Sequence, residues 1–252
     1  LNIDINFTLM NILLLLFIAH CIADFYLQKH SWIMDKVAHH ERSIGLFFHV
    51  LTHVFLTGLI LLWIFSFNVS WMWLGLLSLI VITHYGIDIW KSYQTFKLSY
   101  YLIDQCSHII ILCAVSYWIT MSYPDINGQL FAYKSILVWI AGGVFLANPM
   151  AVTVMVTIMP LRQALHNQDN TISSTPSKDG HYMGIIERLL VMVCVGSGYF
   201  VIPGLLYFGK LYYRLQDDIV KQNALQRRYV VLGTSVSFIS ATCVGLLINL
   251  SS

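Results

Sequence analysis

Six stretches of this chain stay apolar for about 20 residues or more, the length an α-helix needs to cross a bilayer. They are Phe7–Leu27, Ile44–Phe67, Trp71–Trp90, Leu98–Met121, Lys134–Met159 and Tyr229–Leu250. Only 10% of the 252 residues are charged and 58% are hydrophobic, against roughly 25% charged in a soluble domain. These runs predict an all-α integral membrane protein, a polytopic helical bundle of about six spans. A further apolar stretch, 183–208, is interrupted by Gly196-Ser197-Gly198 and by Pro203-Gly204. Helix breakers inside an apolar run predict a re-entrant or kinked segment; seven spans are the alternative.

Charge placement predicts the orientation, because Lys and Arg accumulate in short cytoplasmic loops. Lys29, Lys36 and Arg42 follow the first span, Lys91 and Lys97 the third, and Arg162 and Lys178 the fifth, while 66–70 carries no charge and 122–133 only Asp125. The N-terminus is therefore expected outside the cell inner (plasma) membrane. Lys210, Arg214, Lys221, Arg227 and Arg228 follow the interrupted stretch, which suits a segment that returns to the cytoplasm. The organisation read from this is a four-helix membrane domain, 1–122, and a C-terminal membrane region, 123–252. The latter comprises a cytoplasmic loop (160–182), the interrupted segment (183–208), a basic cytoplasmic segment (209–228) and a last span (229–250).

Several function classes drop out on composition. A net charge of +2 without a basic block does not suit nucleic acid, which requires clustered Lys and Arg. Cys21, Cys106, Cys113, Cys194 and Cys243 lie in apolar segments with no CxxC spacing, as small packed residues do. No Lys or Arg precedes the first apolar run and no A-x-A-like site follows it, so it reads as a retained span.

Against that background, four histidine or carboxylate pairs recur at four-residue spacing: His20/Asp24, His49/His53, His84/Asp88 and Asp104/His108. On a helix, residues four apart share a face. With the predicted topology, all eight fall near the cytoplasmic ends of spans one to four. A single intramembrane His or Asp is often an interhelical hydrogen-bond partner. Eight ionisable groups at one depth, each costing at least about 2.5 kcal/mol to insert, point instead to one or two bound divalent cations.

Imidazole and carboxylate suit zinc first, with Mn, Fe or Ni as alternatives. His20, Asp24, His49, His53, His84, Asp88, Asp104 and His108 are thus the candidate metal ligands, with Asp24, Asp88 and Asp104 the candidate catalytic carboxylates. Lys91, one turn past Asp88, is placed to hold an anionic substrate group, and Gln28 and Gln105 flank the ligand faces. His30, His39, His40, His166 and His181 have no partner at helical spacing among the apolar runs.

The pattern His20-x3-Asp24-x3-Gln28, His49/His53, His84-x3-Asp88-x2-Lys91 and Asp104-Gln105-x2-His108 resembles a bacterial integral membrane family, that of domain of unknown function 3307. Its longer members are similar in the second half, at Tyr229-x-x-Leu232-Gly233-Thr234. Their Gly-x-x-x-Glu-Arg start is matched by Gly184 and Glu187-Arg188 with one residue fewer. The resemblance implies no particular reaction. A looser likeness to inner-membrane metal-dependent hydrolases implies hydrolysis, and a site below the headgroups implies a membrane lipid or other amphiphile as substrate. Two other readings use the same residues. One is a metal-ion or proton transporter. The other is a membrane subunit with a structural metal that docks a cytoplasmic protein through 160–182 and 209–228.

Overall fold

The protein was analysed as a computed structural model that describes residues 2–123, 134–169 and 178–251. Among these residues there are ten α-helices and no strand. Helix α1 (Asn2–Ile22) runs into a π-turn at Ala23–Leu27, followed by α2 (His30–His39), a 3₁₀ turn at His40–Arg42, α3 (Ile44–Ile64), α4 (Trp71–Ser92) and α5 (Leu98–Ser122). Beyond these lie α6 (Lys134–Gln168), α7 (Lys178–Gly196), α8 (Val201–Leu215), α9 (Asp218–Gln222) and α10 (Ala224–Ser251). Six helical stretches are long and apolar enough to cross a membrane: Thr8–Leu27, Ile44–Ile64, Trp71–Ser92, Leu98–Ser122, Ser135–Gln168 and Ala224–Ser251. The fold is therefore an all-α polytopic bundle. The chain falls into two compact units, Leu1–Ala141 and Gly142–Ser252.

The first unit packs α1, α3, α4 and α5 around a dry layer of Ile12, Leu16, Leu61, Ile80, Leu112 and Ile119. Its polarity is inverted relative to a soluble bundle. Ile44, Ile82 and Ile110 are 65–69% exposed, whereas His49 and His53 are only 1% and 2% exposed. Apolar side chains facing outward gain nothing from water but match a lipid surface, and polar ones then have only the interior.

Residues 28–43, treated as a loop in the charge count, contain a helix instead. The Asp35 carboxylate on α2 accepts from the Ser43 hydroxyl and from the Gly45 N–H at 2.7 Å. Those two donors, the hydroxyl first, hold its carboxyl below the ordinary value. Ser43 in turn caps α3, its Oγ accepting from the Leu46 N–H at 2.9 Å, a contact worth about 1 kcal/mol. Gly45 lets the two helices touch: a Cβ there would lie 2.7 Å from the Trp32 Cα and 2.8 Å from its carbonyl oxygen. At the other end of α2, the His40 ring stacks on Tyr93 at 3.9 Å and its Nδ1 lies 2.9 Å from the Ser92 Oγ. Helix α2 is thus fixed to the starts and ends of two spans.

In the second unit, α6 continues through Pro149 and Pro160 to Gln168, so helix occupies the start of the expected 160–182 loop; residues 170–177 of that loop lie outside the described residues. The interrupted stretch is two helices. Helix α7 stops at Gly196, and Gly198 takes a left-handed φ of +85° with its N–H returning to the Val195 carbonyl, a turn that glycine makes without strain. Pro203-Gly204 does not break anything, because Pro203 falls in the first turn of α8, where its missing N–H has no partner to lose. Helix α10 packs on α7 so closely that a Cβ on Gly245 would sit 2.6 Å from the Val195 Cβ.

Because the atoms facing Gly45 are backbone, Gly45→Ala requires α2 to move. It should lower the thermal unfolding midpoint in detergent, by the equivalent of about 1–3 kcal/mol for overpacking. Gly86→Ala, where nothing lies within 4 Å of the added carbon, should be neutral or slightly stabilising, since alanine is the better helix former.

Candidate metal centre

Four helices each deliver one pair to the same end of the first unit. His20 comes from the last turn of α1 and Asp24 from the π-turn, His49 and His53 from the first half of α3, His84 and Asp88 from the second half of α4, and Asp104 and His108 from the start of α5. The i,i+4 spacing puts each pair on the buried face of its helix. The wider π-turn sets Asp24, a feature that recurs at functional sites. His20, His49, His53, His84, Asp88, Asp104 and His108 are all buried, and the Asp24 side chain is 10% exposed.

The ligand-type atoms converge. Asp24 Oδ1 lies 2.7 Å from His53 Nε2, 3.4 Å from His49 Nε2 and 3.8 Å from His84 Nε2. Asp88 Oδ2 lies 3.3 Å from His49 Nε2 and 3.7 Å from His84 Nε2, and the two imidazole nitrogens are 3.2 Å apart. His108 Nε2 and Asp104 Oδ1 face each other at 3.5 Å. Three overlapping groups result, each with ligand atoms within 4.8 Å of one another: His20, Asp24, His53 and His84; His49, His84 and Asp88; and Asp88, Asp104 and His108. His84 and Asp88 each belong to two of them.

These residues fit a divalent cation on two observations. First, buried polar atoms are left over: His20 Nε2, His108 Nε2 and Asp104 Oδ1 have no hydrogen-bond partner, a situation that normally costs about 1–3 kcal/mol per group. Second, the spacings suit shared coordination, since nitrogen and oxygen ligands held at about 2.0–2.2 Å in a tetrahedron stand roughly 3.3–3.6 Å apart. No cysteine belongs to any of the three groups. A small pocket of about 10 Å³ is lined by His20, His53, His84 and His108 together with Ile80, Ile111 and Leu112; it has room for roughly one water.

The accessory residues sort differently. Gln105 Nε2 donates to Asp104 Oδ2 at 3.1 Å. Gln28 ends the π-turn in an extended conformation, and among the described residues no hydrogen bond joins it to the eight. The Lys91 Nζ is buried without a hydrogen bond, 5.8 Å from the centre of the Tyr101 ring, within electrostatic reach of Asp104 and Asp88. Lys36, one of the loop charges that orient the chain, turns out to be buried and to donate its Nζ to Asp88 Oδ2 at 2.9 Å. Burial disfavours its ammonium, yet the Asp88 carboxylate outweighs that and raises its pKa above the ordinary lysine value. The available signal was the apolar company of Lys36, Trp32-Ile33-Met34 and Val37, which does not look like a solvated loop. His39 pairs instead with Asp35 at 2.8 Å.

Fold and centre together define a polytopic helical membrane protein with a buried His/Asp cluster at one end of a four-helix unit. Residues 12–138, which contain all eight cluster residues and both lysines, match the model of a family described as protein of unknown function, DUF3307. The match spans half of the chain, and the protein belongs to that family. No curated protein and no solved structure matches the chain.

The Lys36–Asp88 pair makes a coupled prediction. Lys36→Met strands a buried carboxylate and should destabilise metal-free protein by about 3–5 kcal/mol. Lys36→Met/Asp88→Asn should lose clearly less than the sum of the two single changes, read as unfolding midpoints in a double-mutant cycle.

Proposed function

We propose that this chain is a membrane-embedded, metal-dependent hydrolase whose His/Asp centre acts on an anionic amphiphile. The observation that carries the reading is the convergence of five imidazoles and three carboxylates from four helices, several of their atoms without a hydrogen bond, with the two lysines beside them. His20, Asp24, His53 and His84 would hold one divalent ion, zinc by preference with Mn, Fe or Ni as alternatives. Asp88, Asp104 and His108 would hold a second ion or support the first. Such an ion supplies Lewis-acid polarisation of an ester or anhydride oxygen.

The protein's own residues would do the rest. A carboxylate not engaged as a ligand, from Asp24, Asp88 or Asp104, takes a proton from the attacking water as general base. Lys91 holds the phosphate or carboxylate of the substrate. On the positive-inside count the centre faces the cytoplasm, at the depth of the inner headgroups. An ion pathway is the weaker reading, because polar groups would have to continue along the unit. Ile12, Leu16, Leu61, Leu112 and Val115 fill much of that interior, its buried polar side chains are the neutral Thr8, Asn11, Thr57, Ser116 and Thr120 with no ionisable group among them, and the Ser116 and Thr120 hydroxyls donate back to their own helix.

Elemental analysis of the detergent-purified protein should find about one or two Zn, Mn, Fe or Ni ions per chain, and His84→Ala, which breaks two of the three groups, should lose at least about half of that. Less than about a tenth of an ion per chain after supplementation overturns the metal centre. With metal bound, hydrolysis of phosphate-ester or anhydride amphiphiles should fall about 10²-fold or more in Asp24→Asn. In Lys91→Gln it should fall mainly through KM. A metal-loaded protein that turns over none of them removes the hydrolase reading and leaves a structural or transport metal.

A further inference from the structure

The three ligand groups of the first unit cannot all be filled separately. His84 belongs to the first and the second, Asp88 to the second and the third, and each residue offers one ligand atom. Two ions that share no ligand therefore have one arrangement open to them: one ion on His20, Asp24, His53 and His84, the other on Asp88, Asp104 and His108. The first set completes a tetrahedron; the second supplies three ligands.

The second set already carries a cation. Lys36 Nζ donates to Asp88 Oδ2 at 2.9 Å, within the range of a charge-assisted hydrogen bond. That oxygen is turned into the cluster, 3.3 Å from His49 Nε2 and 3.7 Å from His84 Nε2, and the lysine side chain over it is only 10% exposed. The Lys36 charge also acts on Asp104 and Asp24. None of the four spans supplies this ammonium, which comes from the connecting helix α2.

A divalent ion on Asp88 has two ways to coexist with Lys36, and both are unfavourable. It can share the carboxylate, in which case two cations repel each other at short range in a poorly screened interior. Or it can displace the ammonium, which breaks a buried pair. The other ligands of the set are ready, because His108 Nε2 and Asp104 Oδ1 are buried without a hydrogen bond. We propose that Lys36 stands in for a second metal ion: the chain keeps one resident divalent ion, on His20, Asp24, His53 and His84, and Asp88, Asp104 and His108 form a latent metal site that the Lys36 ammonium holds closed. This rests on the metal-centre reading and fixes what it leaves open, the number of ions. One contact thus does two things, neutralising Asp88 in the metal-free protein and setting the stoichiometry of the loaded one.

The test uses the full-length chain in detergent, stripped with a chelator, titrated with zinc against a chromophoric competitor, and counted by elemental analysis after gel filtration. Wild type and Lys36→Arg, which keeps the charge, should retain about one ion per chain. Lys36→Met should retain about two, as should Lys36→Gln, which still offers Asp88 a hydrogen bond and is gentler to the fold. The second ion should bind at least about tenfold tighter in these two than any second ion does in wild type. Lys36→Met/Asp88→Asn should return to about one. Two ions retained by wild type overturn the proposal, as does a second ion that survives Asp88→Asn. A count of about one in both neutral variants, each eluting as a single species, leaves the metal centre standing and removes the role of Lys36. Less than about a tenth of an ion in every protein removes the metal centre itself, and the latent site with it.

Discussion

Three carboxylates, Asp24, Asp88 and Asp104, lie inside a helical unit whose outer surface is hydrocarbon-like, and much of the first unit's architecture answers the problem they pose. A buried carboxylate with no partner costs several kcal/mol or more. The Lys36 ammonium makes a direct ion pair with Asp88 and the Gln105 amide donates to Asp104; most of the other close neighbours are imidazoles, which can donate from only one nitrogen when neutral. Bringing five rings to the carboxylates requires four helices to end together, with one side chain of each pair stacked a turn above the other. The π-turn at Ala23–Leu27 belongs to the same solution, because it alters the rotation of the chain where Asp24 must face inward below His20.

The helix that contributes Lys36 shows how far such a requirement reaches. Helix α2 is short, and a ten-residue helix has little stability of its own. It is held by tertiary contacts from its middle and from the turn that follows it, Asp35 on the start of α3 and His40 on the end of α4. Gly45 permits the close approach to Trp32. None of these contacts touches the cluster, yet together they fix the ammonium that is hydrogen-bonded to Asp88.

What could be read from the chain divides along the same line. The spans were legible because a bilayer imposes length and apolarity on consecutive residues, and the four pairs because residues four apart on a helix must share a face. The division of 183–208 into two helices was legible from Gly196-Ser197-Gly198, although Pro203-Gly204 read as a second break and is instead an ordinary helix start. Lys36 was not legible as a partner of Asp88: the two are 52 residues apart, and no local periodicity encodes a contact made by folding a connecting segment back over a bundle. The same holds for Arg188, whose acceptors are backbone carbonyls about 40 residues away and so leave no mark in residue identity.

The charge balance of the first unit constrains the proposed chemistry further. With neutral imidazoles, three carboxylates against Lys36 and Lys91 leave one net negative charge, and a single divalent ion turns that into one positive charge. A centre so loaded attracts an anionic group, and attracts it more strongly in a poorly screened interior than in water. The pocket beside the histidines is about 10 Å³, room for roughly one water. On the proposed function, a substrate would approach from the end of the helices where Lys36 and Lys91 stand. That approach would suit the anionic amphiphile of the proposed function, and it separates the roles of the two lysines. The Lys36 ammonium is already committed to Asp88, whereas the buried Lys91 Nζ has no hydrogen bond and lies over the Tyr101 ring, which on the proposed function suits it to take a substrate oxygen.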